Sequence, residues 1–308
     1  MTGVQTCALP IFAAAVRVAE PTLFAKRVAW LRRAAQARGA SEQDLRRSFE
    51  TLRTALEREL PDALKPAVAP ALNLATREFA RAAEREAAPL DPADPLDRLA
   101  LRYLAACLEG DPDRAAALVR TEIAKGLAPA TVYTRVLLAA QREVGDLWHI
   151  GELSIAEERL VTETTRELMA LIAAQHAPRT PAKRTLIAAS VSGNVHDVGL
   201  RAAADLLRIA GWRCLYLGAS VPAAELARAA EAFGADLVLL SATLETHLKP
   251  LGEAIAAVRR GASRCKVLVG GRAFDDVPQL AAQLGADACA ARIDDVVAAG
   301  NALFPARS

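Results

Sequence analysis

The chain has 308 residues, 53% of them hydrophobic and 24% charged, with a formal net charge of +2. That length calls for two or three compact units rather than one core, and so small a net charge gives no electrostatic basis for direct nucleic-acid binding or attachment to a membrane surface. The five cysteines (Cys7, Cys107, Cys214, Cys265, Cys289) lie far apart with no CxxC spacing. This argues against a structural zinc site and a disulfide framework, and it makes a reducing cytoplasm the expected compartment; no apolar run is long enough to cross a bilayer.

The opening segment, MTGVQTCALPI, reads like a translated sequencing adapter fused to the chain. It lacks the basic leader and small-residue cleavage site of a signal peptide, and it does not look like a helix start, so residues 1–12 are set aside as a non-native segment. On that reading the natural N-terminus is missing, which leaves open whether an upstream domain was lost with it. Residues 13–90 then form a helical N-terminal region of unknown role. Apolar positions recur at spacings of three and four through Leu23, Val28 and Leu31 and again through Leu45, Phe49, Leu52 and Leu56. Ser41 with Asp44 supplies a capping signal, Gly39 and Pro61 punctuate the helices, and APLDPADP, ending at Pro95, reads as a linker.

Residues 91–180 read as a bundle of four helices. Asp111-Pro112 starts one, Pro129 opens another that runs to about His149, Gly151 breaks it, and Ser154 with Glu157 forms a capping box for the last. Residues 181–308 change character. The runs TLIAASV, RCLYLG, DLVLLSAT, KVLVGG and DACAA alternate with amphipathic stretches of helical length. Such alternation predicts an α/β domain with a doubly wound, flavodoxin-like parallel sheet of five strands, whose ligands bind at the carboxyl ends of the strands. Three strand ends carry the informative residues: Gly193 to Gly199 (GNVHDVG), Ser241-Ala242-Thr243, and Gly270-Gly271. The glycine pair is expected to let a bulky ligand lie against bare backbone.

Taken singly, His196 is a polar loop residue at the helix that begins near Asp197, the two hydroxyls satisfy backbone groups, and the glycines make a turn. Together they resemble the cobalamin-binding domain family, whose signature is Asp-x-His-x-x-Gly, then Ser-x-Leu or Ser-x-Thr, then Gly-Gly. Here 41 residues separate Gly199 from Ser241, and 26 separate Thr243 from Gly270, as the family has it. The resemblance implies that adenosylcobalamin or methylcobalamin is held with its nucleotide tail detached from cobalt and threaded beside Ser241 and Gly270-Gly271, with His196 as the lower ligand to the metal. It also implies binding roles for Asn194, Asp197, Gly199 and Thr243. Asn194 departs from the family's Asp: its amide is expected to accept a hydrogen bond from the His196 ring without adding negative charge.

Residues 144–163 (VGDLWHIGELSIAEERLVTE) extend the resemblance to the helical cap of methionine synthase and of cobalamin-dependent photoreceptor regulators. In the regulators a Trp is followed after nine residues by Glu-His; here Trp148 is followed by Glu158-Arg159. Trp148 and Glu158 are therefore implied over the upper ligand, whereas Arg159 has no lone pair for a metal. His149 and His247 have no partner evident in sequence and are expected to be solvated or structural. Two functions are implied: a sensor or transcriptional regulator acting on a protein partner or as a homo-oligomer, and a corrinoid methyl carrier of a methyltransferase system. A flavodoxin-like module for another small ligand is the blander option. The chain has no room for the barrel of a mutase, and neither GxGxxG nor a P-loop is present.

Overall fold

The computed structural model describes residues 2–80, 89–180 and 184–304. Ala88, the first residue of the APLDPADP linker, and Pro181, where the last segment begins, lie outside them, as does the side chain of Cys7. The chain divides into two compact units: the described residues of Met1–Ala88 with Val144–Ile155, and those of Pro89–Glu143 with Ala156–Ser308.

The first unit is helical: α1 (Thr2–Arg17), α2 (Pro21–Ala37), α3 (Glu42–Glu59) and α4 (Lys65–Ala80). Helix α1 begins well before Ala13, so the opening segment is helical after all; Ile11, Phe12, Ala14 and Ala15 are buried on it, and that apolar spacing overrides the absence of a start signal. Ser41 caps α3, accepting from the Asp44 N–H at 3.1 Å. Gly39 takes a φ of +85° after α2, where the chain must reverse. Phe49 and Phe79 stack with ring centroids 4.9 Å apart, fixing α3 against α4.

The second unit begins with α5 (Pro95–Leu108) and α6 (Pro112–Ala124). Each opens with an Asp cap and Pro at its first position: Asp94 accepts from Leu96 and Asp97, and Asp111 from Arg114. A single turn, α7 (Pro129–Thr131), leads through a π-helical stretch, Val132–Leu137, into α8 (Leu138–His149). The wider π turn buries Tyr133, whose hydroxyl donates to the Met169 carbonyl at 2.6 Å. Helix α9 (Ile155–His176) completes the group.

The sheet follows: β1 (Thr185–Val191), β2 (Arg213–Val221), β3 (Leu237–Ser241), β4 (Lys266–Gly270) and β5 (Ala288–Ala290), all parallel, in the order β2-β1-β3-β4-β5. This is the five-stranded doubly wound sheet expected. Helices α10 (Val198–Ile209), α11 (Ala223–Ala232), α12 (Leu248–Gly261), α13 (Leu280–Gln283) and α14 (Val296–Ala302) connect and cover it. β1 and β3 are buried along their whole length, as continuous apolar runs in a parallel sheet require. Leu186, Ile187, Leu237 and Val238 are fully buried, each contributing about 1.5–3 kcal/mol. Strand order reverses between β1 and β3, the point at which open α/β sheets place the crevice for their ligands.

Candidate functional site

The crevice is framed by the loop after β1, which carries His196, and the loop after β3. The first loop is tied to both neighbouring strands. Toward β2, the Gly193 N–H donates to Ser220 Oγ at 3.0 Å, and the Ser220 N–H donates to the Asn194 carbonyl at 3.1 Å. Ser220 holds the left-handed φ of +54° that this reciprocal contact requires, an uncommon conformation for a residue with a side chain. Toward β3, Asn194 Nδ2 donates to the Ser241 carbonyl at 3.0 Å. Asn194 Oδ1 accepts from the His196 backbone N–H at 3.1 Å.

Asn194 is 0% exposed, and its two bonds specify an amide. One neighbour is a donor and the other an acceptor, which fixes the orientation of the group and leaves no place for a carboxylate. The expectation that this oxygen faces the His196 ring is corrected: it holds the His196 backbone instead. His247 supports the same loops. Its Nδ1 accepts from the Leu244 N–H at 3.1 Å, its ring hydrogen-bonds the Gly193 backbone, and burial followed by the nearby His196 lowers its pKa. His247 is thus structural, with partners that sequence did not reveal.

His196 stands exposed on this rim beside Val195, which is 65% exposed although apolar. A Cβ on Gly199, one turn further on, would meet nothing within 4 Å. Ser190, which pairs with Ser241 in the sheet, has a buried Oγ with no hydrogen-bond partner among the described residues. A buried hydroxyl left so costs about 1–3 kcal/mol, which a ligand tail carrying polar atoms would recover. An exposed imidazole on the loop after β1, with an orphaned buried hydroxyl on that strand, suits a large metal cofactor with a polar tail.

Ser241 is buried at the end of β3, and Thr243 Oγ1 lies 3.4 Å from the His196 carbonyl, a long contact. Gly270 and Gly271 are also required by the fold itself. A Cβ on Gly271 would fall 2.3 Å from the Ala242 carbonyl oxygen and 3.0 Å from Ser241 Oγ, at a φ of +105°. A Cβ on Gly270 would fall 3.0 Å from the Ala290 carbonyl oxygen. The pair lets the loops after β3, β4 and β5 close on one another, its neighbours being protein backbone and the Ser241 hydroxyl.

Asp197 also differs from expectation. It precedes α10 without capping it. Its buried carboxylate pairs with Arg166 of α9 and accepts from the Tyr216 hydroxyl of β2 at 2.8 Å. Burial, then the bond to Asp197, raises the Tyr216 pKa. Arg201 lies over the Tyr216 ring at 5.0 Å and pairs with Asp205 at 2.9 Å, and Tyr133 reaches the same carboxylate at 3.2 Å. The residue after His196 therefore anchors the sheet to the helices that precede it. Arg166, Tyr216, Ser190 and Ser220 carry no local motif and were not legible in sequence.

In the helices of the same unit, the single Thr162 hydroxyl proton lies between two acceptors, Glu158 Oε1 at 2.9 Å and Gln141 Oε1 at 3.1 Å. Gln141 Nε2 in turn donates to Thr165 Oγ1 at 2.8 Å, and Thr165 meets the Tyr103 hydroxyl at 2.8 Å. Glu158 is half-buried at the end of this chain; Arg159 is exposed. Trp148 belongs to the first unit and is 37% exposed. Beside it His149 is 2% exposed, stacked on Trp30 at 3.9 Å with Nε2 3.1 Å from the Trp30 carbonyl. The four cysteines whose side chains are described are unpaired; burial pushes the Cys214 and Cys265 thiols up to about 12, leaving them unreactive. Among the described residues no cluster of side chains could hold a metal by itself, and no helix is long and apolar enough to cross a membrane.

Residues 184–299 match the model of the B12 binding domain, and residues 99–173 match a second model of the same description. A corrinoid protein of Desulfitobacterium hafniense is 26% identical over 205 residues, 65% of this chain and 94% of that protein. The HTH-type transcriptional repressor CarH of Myxococcus xanthus is 32% identical over 156 residues, 50% of this chain but only 52% of the repressor. A monomethylamine corrinoid protein of Methanosarcina barkeri shares the fold, with a TM-score of 0.58 at 18% identity over 67% of this chain and 99% of that one.

Proposed function

Because the chain belongs to the cobalamin-binding domain family and binds cobalamin, we propose that it is a cobalamin-dependent sensor or regulatory protein, with His196 beneath the cobalt and the nucleotide tail lodged in the crevice between β1 and β3. Asn194 carries this reading. Its amide is committed to the His196 backbone and the Ser241 carbonyl, so it places no acidic group beside the imidazole. The resemblance gives methyl carriers an Asp-His pair that adjusts ligand protonation during transfer, and here that pair is absent. Cobalamin supplies a photolabile or transferable carbon–cobalt bond. The chain's own residues would hold the imidazole on the loop after β1 and take the tail beside Ser241 and the buried Ser190 hydroxyl, with Glu158 of the same unit toward the upper ligand.

Protein partners follow differently from the two readings. A regulator acts on a partner or on a second copy of itself as its state changes. A methyl carrier docks on methyltransferases, and the nearly complete coverage of the D. hafniense corrinoid protein favours that second reading. Arg159 removes the histidine that the photoreceptor regulators place above cobalt, so a light response here would have to arise without a second imidazole.

The test is retention of cofactor after the protein is mixed in the dark with adenosylcobalamin, methylcobalamin or hydroxocobalamin and desalted, followed by illumination. Retained cofactor with a stable change of oligomeric state on illumination supports a light sensor. Retained cofactor with methyl exchange to an added thiol acceptor and no such change moves the assignment to a carrier. Absence of any retained cofactor would remove the whole account.

A further inference from the structure

Asp197 stands between His196 and α10, and both of its carboxylate oxygens are engaged by residues distant in sequence. Oδ1 pairs with the Arg166 guanidinium of α9, and Oδ2 accepts from the Tyr216 hydroxyl of β2 at 2.8 Å. Neither bond serves the start of α10: the side chain makes no cap bond there, and the Asp197 carbonyl takes the first helical bond, from the Arg201 N–H at 2.7 Å. The Asp197 side chain is only 4% exposed. A carboxylate so placed must be neutralised or move out to water, and the Arg166 cation neutralises it.

From Tyr216 the contacts continue as a circuit that returns to α9, all within the second unit. Arg201 lies over the Tyr216 ring at 5.0 Å and pairs with Asp205 at 2.9 Å. The Tyr133 hydroxyl, from the π-helical stretch, lies 3.2 Å from the Asp205 carboxylate and 2.6 Å from the Met169 carbonyl of α9. Met169 is less than one turn beyond Arg166. His196 is therefore tied on both sides. Its own N–H is bonded to Asn194 from within the loop, and the next residue is pinned by α9 and β2. An imidazole's position is set by the backbone from which it projects. One of these ties is local, and the other carries the seating of α9 to the His196–Asp197 peptide.

We propose that Arg166 and Tyr216 are positioning residues for His196, acting through the Asp197 carboxylate, so that the seating of α9 against the sheet sets how much of the bound cofactor carries the imidazole on cobalt. This rests on the reading of His196 as the lower ligand. Loss of the Arg166 cation leaves the carboxylate with the Tyr216 hydroxyl, which cannot neutralise it. The carboxylate then turns toward water and takes the peptide behind His196 with it.

The experiment uses the full chain, grown with histidine labelled in the heavy nitrogen isotope, bound to hydroxocobalamin and reduced to divalent cobalt. It reads the dissociation constant for hydroxocobalamin and, by electron paramagnetic resonance, the fraction of bound cofactor whose nitrogen splitting the label converts from a triplet to a doublet. Wild type should show the conversion and His196→Ala should not. Arg166→Gln should lower the converted fraction and weaken binding by about tenfold, the low end of the loss for a partner that supports a metal ligand. Tyr216→Phe keeps the ring beneath Arg201 and removes only the hydroxyl, so it should lower both by less. Arg166→Lys keeps the cation and should recover most of the converted fraction. A purely structural role would weaken folding or binding while the bound cofactor keeps its imidazole. An unchanged converted fraction in Arg166→Gln and Tyr216→Phe therefore overturns the proposal, with His196 still the ligand. A fraction lowered as far by Arg166→Lys as by Arg166→Gln would trace the effect to packing and also overturns it. A conversion that wild type lacks, or that His196→Ala leaves intact, removes the lower-ligand reading and this inference with it. Should Arg166→Gln fail to fold, Tyr216→Phe decides.

Discussion

The loop that carries His196 and the helical turn that carries Trp148 are built in opposite ways. The His196 loop is held by its immediate sheet neighbours: Ser220 on one side, Ser241 on the other, and the buried Asn194 amide between them. The Trp148 turn takes its documented supports from residues more than a hundred positions away, Trp30, Arg33 and Arg38. One is a short-range hydrogen-bond lattice that admits a single arrangement; the other is a set of side-chain clasps on a half-exposed turn. A metal ligand needs the first kind of support, because a small displacement costs coordination geometry.

The contrast can be broken at its strongest point first. His196→Ala should leave the sheet intact and cost about 100-fold or more in cobalamin affinity, beyond the loss expected for a supporting partner, measured by spectroscopic titration. An unchanged affinity would detach the rigid loop from ligand binding. Gly271→Ala comes next. With a positive φ and a carbonyl 2.3 Å from the new Cβ, it should destabilise the second unit by about 3 kcal/mol, read from denaturant unfolding; a change under about 0.5 kcal/mol, the range of an ordinary surface substitution, would show the glycine to be a ligand contact only.

Asn194→Asp is the sharper variant. It keeps an oxygen for the His196 N–H but faces the Ser241 carbonyl with a second acceptor, and it should cost about 1–2 kcal/mol at neutral pH. If it is neutral or stabilising, the loop is not specified by the amide. The smallest effect is in pH. The folded-state pKa of His247 is lowered from 6.5, so the unfolded chain binds this proton more readily than the folded one. The stability linked to this group is present above pH 6.5 and is lost as pH falls through that value. In cofactor-free protein His247→Gln should flatten that part of the stability profile relative to wild type.

The sheet was legible almost entirely, because parallel strands buried on both faces leave continuous apolar runs, and DACAA announces even the three-residue β5. β2 runs past RCLYLG to Val221 through irregular pairing that no periodicity reveals. The π turn at Val132–Leu137 was invisible for a similar reason: one extra residue per turn barely alters the spacing of apolar side chains. At the site, the motif positions identified His196, Asn194, Ser241 and the glycines, but their physical roles were only half legible. Gly271 answers to Ala242, Asp197 to Arg166 and Tyr216, and Asn194 to a backbone N–H. These partners lie on other elements, and only the folded chain brings them together.

The account centres on an imidazole below the cobalt, and the most direct measurement is the electron paramagnetic resonance spectrum of the reduced, divalent-cobalt form of the bound cofactor. Protein grown with histidine labelled in the heavy nitrogen isotope should convert the nitrogen splitting from a triplet to a doublet, and His196→Ala should abolish that conversion. A triplet that persists in the labelled wild-type protein would mean that the cofactor's own base stays on the metal, and would contradict the assignment of His196.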